Sequence, residues 1–186
     1  MRIIAGKFRG RKLKSPPSLQ TRPTSDRLRE TLFNILAPQI EGARFLDLCA
    51  GTGAVGIEAL SRGASHATFV DQSPKMCELI EINLTSMEIA PGDYQVVRAD
   101  AGEYLRRHLK KEEQQLGIVF FDPPYATDYE ELLNFIGEHA AKILDAEGLV
   151  IVEHHKKKSL EDQFKALTRY REVKQGDSAL SFYRAT

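Results

Sequence analysis

The sequence predicts an α/β fold, a mostly parallel sheet covered on both faces by helices and finished by an antiparallel hairpin. Three observations carry this. Short apolar runs alternate with helical patterns from Arg44 onward. Several runs, such as Gly117-Ile118-Val119-Phe120-Phe121, are apolar without a break, as strands buried on both faces are. After the last helical pattern, two alternating runs flank Gln175-Gly176-Asp177-Ser178, a turn signal.

In order, the expected strands are 44–48, 66–71, 94–99, 117–122 and 148–153, then the hairpin arms Tyr170–Lys174 and Ala179–Arg184. Expected helices lie at 54–62, 74–87, 101–109 and 129–144, with a further one near 159–167. In the first, Val55, Ala59 and Leu60 share one face and Glu58 and Arg62 another. His108 to Gln115 reads as a polar surface loop or frayed helix end. An earlier helix opens at Arg22-Pro23-Thr24-Ser25, where Thr24 or Ser25 can cap it. Leu28, Leu32, Ile35 and Leu36 give it a core-facing stripe, and Pro38 ends it. Arg22, Arg27 and Arg29 stay near its start, where they could meet phosphate, close over a cofactor, or simply be solvated.

The 186 residues, 42% hydrophobic and 28% charged, suit one ordinary globular domain. No apolar run approaches a membrane span, and the start lacks a signal-peptide pattern, so a cytoplasmic protein with no membrane partner is expected. Cys49 and Cys77 sit in no metal-ligand pattern; no metal is expected.

Net charge is zero but unevenly placed. Residues 1–24 carry seven basic residues, Arg2, Lys7, Arg9, Arg11, Lys12, Lys14 and Arg22, and no acidic one. Of 26 basic and 26 acidic residues in all, the rest of the chain keeps 19 basic against all 26 acidic, a net of −7. A basic arm on an acidic body suggests a polyanion contact at one end; a solvated tail is the plainer alternative. Ile3, Ile4, Phe8 and Leu13 interleave with the charges, as in a short ribbon turning near Arg9-Gly10. Phe8 could stack on a base, although anchoring the ribbon to the body has the better claim. Ser15-Pro16-Pro17-Ser18 is a linker. Residues 1–20 are therefore read as a ribbon and linker, and 21–186 as the main domain.

Chemistry gathers where the strands end. Phe45 to Leu48 breaks into Gly51-Thr52-Gly53-Ala54-Val55-Gly56. Gly51 and Gly53 permit a tight turn and close approach of a ligand, and Gly56 permits close helix–strand packing. Asp47, inside the strand end, is wrong for an anionic pyrophosphate. It suits a cationic ligand such as S-adenosylmethionine, which carries an ammonium and a sulfonium and no phosphate. Asp71 ends the next strand at a spacing suited to ribose hydroxyls. Each Asp alone could equally be a turn residue or helix cap. Asp100 ends the third strand, and Asp122-Pro123-Pro124-Tyr125 the fourth. There two prolines fix the backbone. Asp122 and the Pro123 carbonyl can accept the two N–H bonds of an exocyclic amine, and Tyr125 can stack on its base.

These motifs, from Asp47 to Gly56, Asp71, Asp100 and Asp122 to Tyr125, resemble the Rossmann-like S-adenosylmethionine-dependent methyltransferases that modify exocyclic amines. Such a fold would have a seven-stranded, mostly parallel sheet. The N-terminal Arg2-Ile3-Ile4-Ala5-Gly6, Arg9-Gly10-Arg11-Lys12-Leu13 and Arg22 to Leu36 narrow the resemblance to the bacterial RsmD family, which methylates N2 of a guanine in small-subunit ribosomal RNA. By that resemblance, Asp47, Gly51 and Gly53 border the methionine part of the cofactor. Asp71 holds the ribose, Asp100 accepts from the adenine amine, and Ala101 lies beside the ring. Asp122, Pro123 and Tyr125 hold the guanine, and the basic ribbon grips the RNA. The resemblance implies small-subunit ribosomal RNA as partner; a small protein with one modest arm would need an assembled or partly assembled particle to present it, and nothing in the sequence demands more than a monomer.

Asp122 stands where many adenine-directed relatives have Asn, which fits a guanine amine. Adenine N6, a glutamine amide, a nicotinamide dehydrogenase on the same fold, and an RNA-binding assembly factor without chemistry are the competing readings. His154 and His155, with Lys156 to Lys158, could touch RNA or form a solvated loop.

Overall fold

The computed structural model describes residues 1–16, 25–111, 113–123 and 129–186. The apolar runs form parallel strands β1 (Arg44–Leu48), β2 (His66–Asp71), β3 (Tyr94–Arg98), β4 (Leu116–Phe121) and β5 (Leu144–His155). The chain then adds β6 (Gln163–Phe164), β7 (Leu167–Gln175) and β8 (Ser178–Ala185). All eight join one sheet in the order β3-β2-β1-β4-β5-β8-β7-β6, with β8 antiparallel to both β5 and β7. The chain winds outward from β1 through β2 to β3, then returns to place β4 on the other side of β1. That reversal leaves a crevice at the carboxyl ends of β1 and β4, where ligands bind in open α/β sheets.

Alternation along the strands divides the core. Phe45, Phe69, Ile118, Phe120 and Ile151 face one layer, with α1 (Asp26–Leu36), α2 (Ala54–Ser61) and α3 (Pro74–Ser86). Leu46, Val70, Val119, Phe121 and Val152 face the other, with α4 (Ala101–Lys110), α5 (Tyr129–Glu138) and α6 (Ala140–Ile143). Ser25 caps α1 by accepting a hydrogen bond from Leu28 N. Leu28, Leu32, Phe33 and Leu36 are buried, each contributing about 1.5–3 kcal/mol. Among the described residues no helix is long and apolar enough to cross a membrane.

Three expectations are corrected. The sheet has eight strands rather than seven, because the helix expected near 159–167 does not form. Leu160, Phe164 and Leu167 have helical spacing, yet all three are buried from an extended segment. The chain reverses between β6 and β7 at Lys165, whose φ of +55° no helix allows. The expected 129–144 helix breaks at His139, and β5 already begins at Leu144. Glu58 and Arg62 share a face as expected, although α2 is buried on every side. His108 is likewise buried, inside the last turn of α4, with Nδ1 3.1 Å from Glu113.

Glu58 holds the N-terminal arm. Its carboxylate accepts from Ile4 N at 2.8 Å and Ala5 N at 3.0 Å, and pairs with Arg62 at 2.8 Å. Fully buried Arg29 lies 3.7 Å from Glu58 and donates to the Arg2 carbonyl and to Asp26, so it neither meets phosphate nor stands in solvent. The arm is a short antiparallel hairpin turning near Gly10, closed by one bridge between Arg2 and Lys12. Ile3, Phe8 and Leu13 join the core, so Phe8 is an anchor. At the far end, buried Asn83 accepts from Lys14 N and donates to the carbonyls of Lys14 and Thr52, tying the arm to the glycine loop.

Candidate active site at the carboxyl edge of the sheet

After Leu48 the chain makes a tight loop with positive φ at Cys49, Gly51 and Gly53 (+61°, +55° and +75°). Gly53 then starts α2, its carbonyl accepting from Ile57 N. A Cβ on Gly51 would meet nothing within 4 Å, so that backbone is open to close approach by a ligand. A Cβ on Gly56 would lie 2.3 Å from the Phe69 ring, the close helix–strand packing expected from its place in the motif.

Four carboxylates surround this loop. Asp47 is 2% exposed, and its Oδ2 accepts from Gly56 N at 2.9 Å. Burial pushes its carboxyl up to about 8, against the Gly56 N–H and with a smaller push from Asp71. Asp71 uses both oxygens, accepting from Gly51 N at 2.9 Å and Ser73 N at 2.8 Å. Asp100 caps α4, its Oδ1 accepting from Gly102 N at 2.9 Å and Glu103 N at 3.1 Å; half-buried Ala101 opens that helix. Asp122 is held at the edge by its own N–H, which donates to the Leu48 carbonyl at 3.4 Å. Its carboxyl is raised well above the usual range by burial, then by Glu153 and Asp47. The four meet around Cys49, whose thiol is pushed up to about 12 by burial, then by Asp71, Asp122, Asp47 and Asp100. A thiol so placed is inert. The crevice is a concentrated anionic site, suited to a cation and to hydrogen-bond donors.

Pro123 is buried beside Asp122, whereas Pro124, Tyr125 and Arg22 lie outside the described residues. The sequence reading missed Glu153. It ends an apolar run, as Asp47, Asp71 and Asp122 do, but the His-His-Lys-Lys-Lys that follows hides this. It is buried, and its Oε1 accepts from Ser178 Oγ at 3.0 Å. His154, also buried, lies 2.9 Å from Ser181 Oγ through Nε2, so it supports β8 rather than facing a ligand.

Arg2, Lys7, Arg9, Arg11, Lys12 and Lys14 are all exposed. Arg2 lies 3.9 Å from Asp26, and Arg11 donates to the carbonyls of Ser86 and Met87. The Lys7 end packs by Ser61 at the close of α2, and the Lys14 end by Thr52 in the glycine loop. The arm thus spans the length of α2, roughly 12 Å at 1.5 Å per residue, and among its described residues the Lys14 end lies next to the glycine loop.

A sheet with this order, a glycine loop after β1 and acidic ends on β2 and β4 defines the Rossmann-like methyltransferase class. Within it, a family model described as Conserved hypothetical protein 95 matches residues 1–184, and the chain belongs to that family, the RsmD family. It is 37% identical to the Ribosomal RNA small subunit methyltransferase D of Escherichia coli K12, over 99% of this chain and 89% of that protein. A solved E. coli structure, described as a candidate methyltransferase, superposes with a TM-score of 0.84 at 35% identity, over 100% of this chain and 97% of that one. More distantly, a methyltransferase-fold structure solved in complex with SAH matches with a TM-score of 0.67 at 16% identity, over 84% of this chain and 49% of that one. That last likeness speaks to fold alone.

Proposed function

We propose that this protein transfers a methyl group from S-adenosylmethionine to the exocyclic N2 of a guanine in small-subunit ribosomal RNA. The observation that carries the reading is the convergence of Asp47, Asp71, Asp100 and Asp122 on one open glycine loop. This donor set fits the cofactor: carboxylates for a cationic amino acid part and for ribose hydroxyls. The name of the E. coli relative supports ribosomal RNA as the acceptor.

When bound, S-adenosylmethionine supplies an electrophilic methyl on sulfur, which keeps the bonding pair as the methyl leaves. Asp47 and the backbone of Gly51 and Gly53 border its charged end. Asp71, with lone pairs left beyond its bonds to Gly51 and Ser73, would accept from the ribose hydroxyls, and Asp100 with Ala101 would frame the adenine. Asp122 and the Pro123 carbonyl accept the two amine hydrogens of the target, which leaves the nitrogen lone pair pointing at the methyl. Tyr125 stacks on the base. Asp122 also takes the proton that the nitrogen sheds once methylated, a role suited to its raised basicity. The target base leaves its stack to reach this edge, which costs least in a loop. Arg2, Lys7, Arg9, Arg11, Lys12, Lys14 and Arg22 hold the surrounding RNA, within an assembled or partly assembled particle.

The test is methyl transfer from labelled S-adenosylmethionine to small ribosomal subunits lacking the modification, with protein-free RNA in parallel and digestion to nucleosides. Label is expected as N2-methylguanosine, with faster turnover on the particle. Label on adenosine would overturn the choice of base. Cofactor binding without label on either substrate would point to another acceptor or to an RNA-binding role.

A further inference from the structure

The acceptor edge holds a second carboxylate beside Asp122. β4 and β5 run parallel with Phe121 opposite Val152, so Asp122, just past the end of β4, lies beside Glu153, which stays in β5 and pairs with Leu180 of β8. Their backbones stand one strand spacing apart, about 4.8 Å. Alternation places both on the side of Phe120 and Ile151, the side that Asp47 also shares with Phe45. Glu153 is 8% exposed, and Ser178 Oγ on β8 holds one of its oxygens at 3.0 Å. Glu153 is buried and Asp122 half-buried beside it, and burial, then Glu153, raises the Asp122 carboxyl. Such a pair is relieved by a ligand that brings adjacent hydrogen-bond donors.

Guanine brings them. Its Watson–Crick edge sets N1–H directly beside the N2 amine. Adenine sets an unprotonated N1, a lone pair, beside its N6 amine. We propose that Glu153 is a specificity-determining residue that accepts the N1–H of the target guanine while Asp122 and Pro123 hold its N2 amine. This rests on the guanine-N2 reading above and adds to it the means of choosing the base. An adenine in the same pose would turn its N1 lone pair towards the Glu153 carboxylate and leave a buried acceptor unmatched. Sites built to hydrogen-bond a donor reject analogues lacking it by large factors, for this reason.

The test pairs an enzyme change with a base change. 2-Aminopurine keeps the amine of guanine but has no hydrogen on N1. RNA is prepared with guanine or 2-aminopurine at the methylated position, in whichever form, free or reconstituted, accepts methyl. Glu153→Gln keeps the volume and the Ser178 bond, removes the charge and offers an N–H donor. Wild-type protein is expected to methylate guanine at least ~100-fold faster than 2-aminopurine. E153Q is expected to lose at least ~10-fold on guanine while its guanine-to-2-aminopurine ratio falls towards one, with cofactor affinity unchanged. Equal losses on both bases, or an unchanged ratio, would assign Glu153 to packing and overturn the inference alone. Absence of N2-methylguanosine with wild-type protein would instead remove the guanine-N2 reading, and the inference with it. Should E153Q fail to fold, Ser178→Ala frees the carboxylate from its orienting hydroxyl. A several-fold fall in the ratio is then expected, and no change overturns the role.

Discussion

Asp47 is buried in a strand end with its charge opposed by its surroundings, and this has a measurable consequence. In the unfolded chain its carboxyl ionises near the ordinary 3.8; in the folded, cofactor-free protein burial holds the proton up to about 8. Between those values the folded state binds the extra proton, so this group's contribution to stability is full at the acid end and falls as pH rises through the window. Asp47→Asn keeps an oxygen for Gly56 N and removes the charge. Cofactor-free D47N is therefore expected to be more stable than wild type at pH 9, by ~1–2 kcal/mol, with no advantage near pH 4. Urea denaturation across pH checks this; wild type gaining relative to D47N on the alkaline side would refute it. A cation bound at this edge favours the ionised carboxylate. Below pH 8, binding of S-adenosylmethionine should then release close to one proton, visible by calorimetry in buffers of different ionisation enthalpy, and D47N should abolish that release and weaken binding at least ~10-fold.

At the scale of elements, the glycine loop is legible because each of its demands is local. Gly51 and Gly53 need positive φ, and Gly56 needs the space that the Phe69 ring occupies. Phe69 is fully buried and cannot swing aside, so Gly56→Ala is expected to cost about 1–3 kcal/mol by overpacking. Gly92→Ala is the control: nothing lies within 4 Å of its Cβ and its φ is ordinary, so thermal melts should leave it within ~0.5 kcal/mol of wild type. The misread elements fail for a shared reason. Leu160, Phe164 and Leu167 have helical spacing but are claimed by tertiary packing, Phe164 under α5 with its carbonyl against Gly137 and its ring against Tyr183. Arg29 and Glu58 look like surface charges on two helices, and only the fold brings them together to hold the arm. β1, β2 and β4 were readable because a strand buried on both faces carries its signal in its own residues. Long-range partners leave no such local signal, and Glu153 was missed on that account.

Across the whole molecule, the charge division seen in the sequence becomes a spatial one. Asp47, Asp71, Asp100 and Asp122 converge on the crevice, while among the described residues the arm's cations lie along α2 and near the ends of α1 and α3, with the Lys14 end next to the glycine loop. Burial of Ile3, Phe8 and Leu13 makes the arm part of the core as well as a source of charge, so deleting it would confuse two effects. Neutralising its exposed cations separates them. The fourfold change of Lys7, Arg9, Lys12 and Lys14 to Ala leaves every core contact and the Arg29–Glu58 pair in place, so the melting temperature should not move by more than a few degrees. RNA affinity should fall. Each lost phosphate contact removes roughly 0.7 from the slope of log affinity against log salt for single-stranded RNA, so the slope should flatten by about 3. Binding titrations at several salt concentrations measure it. An unchanged slope with weakened affinity would mean that the arm shapes the site rather than holding phosphate. An unchanged slope and affinity together would return the RNA contact to the acidic body, where only the edge chemistry of the base could hold it.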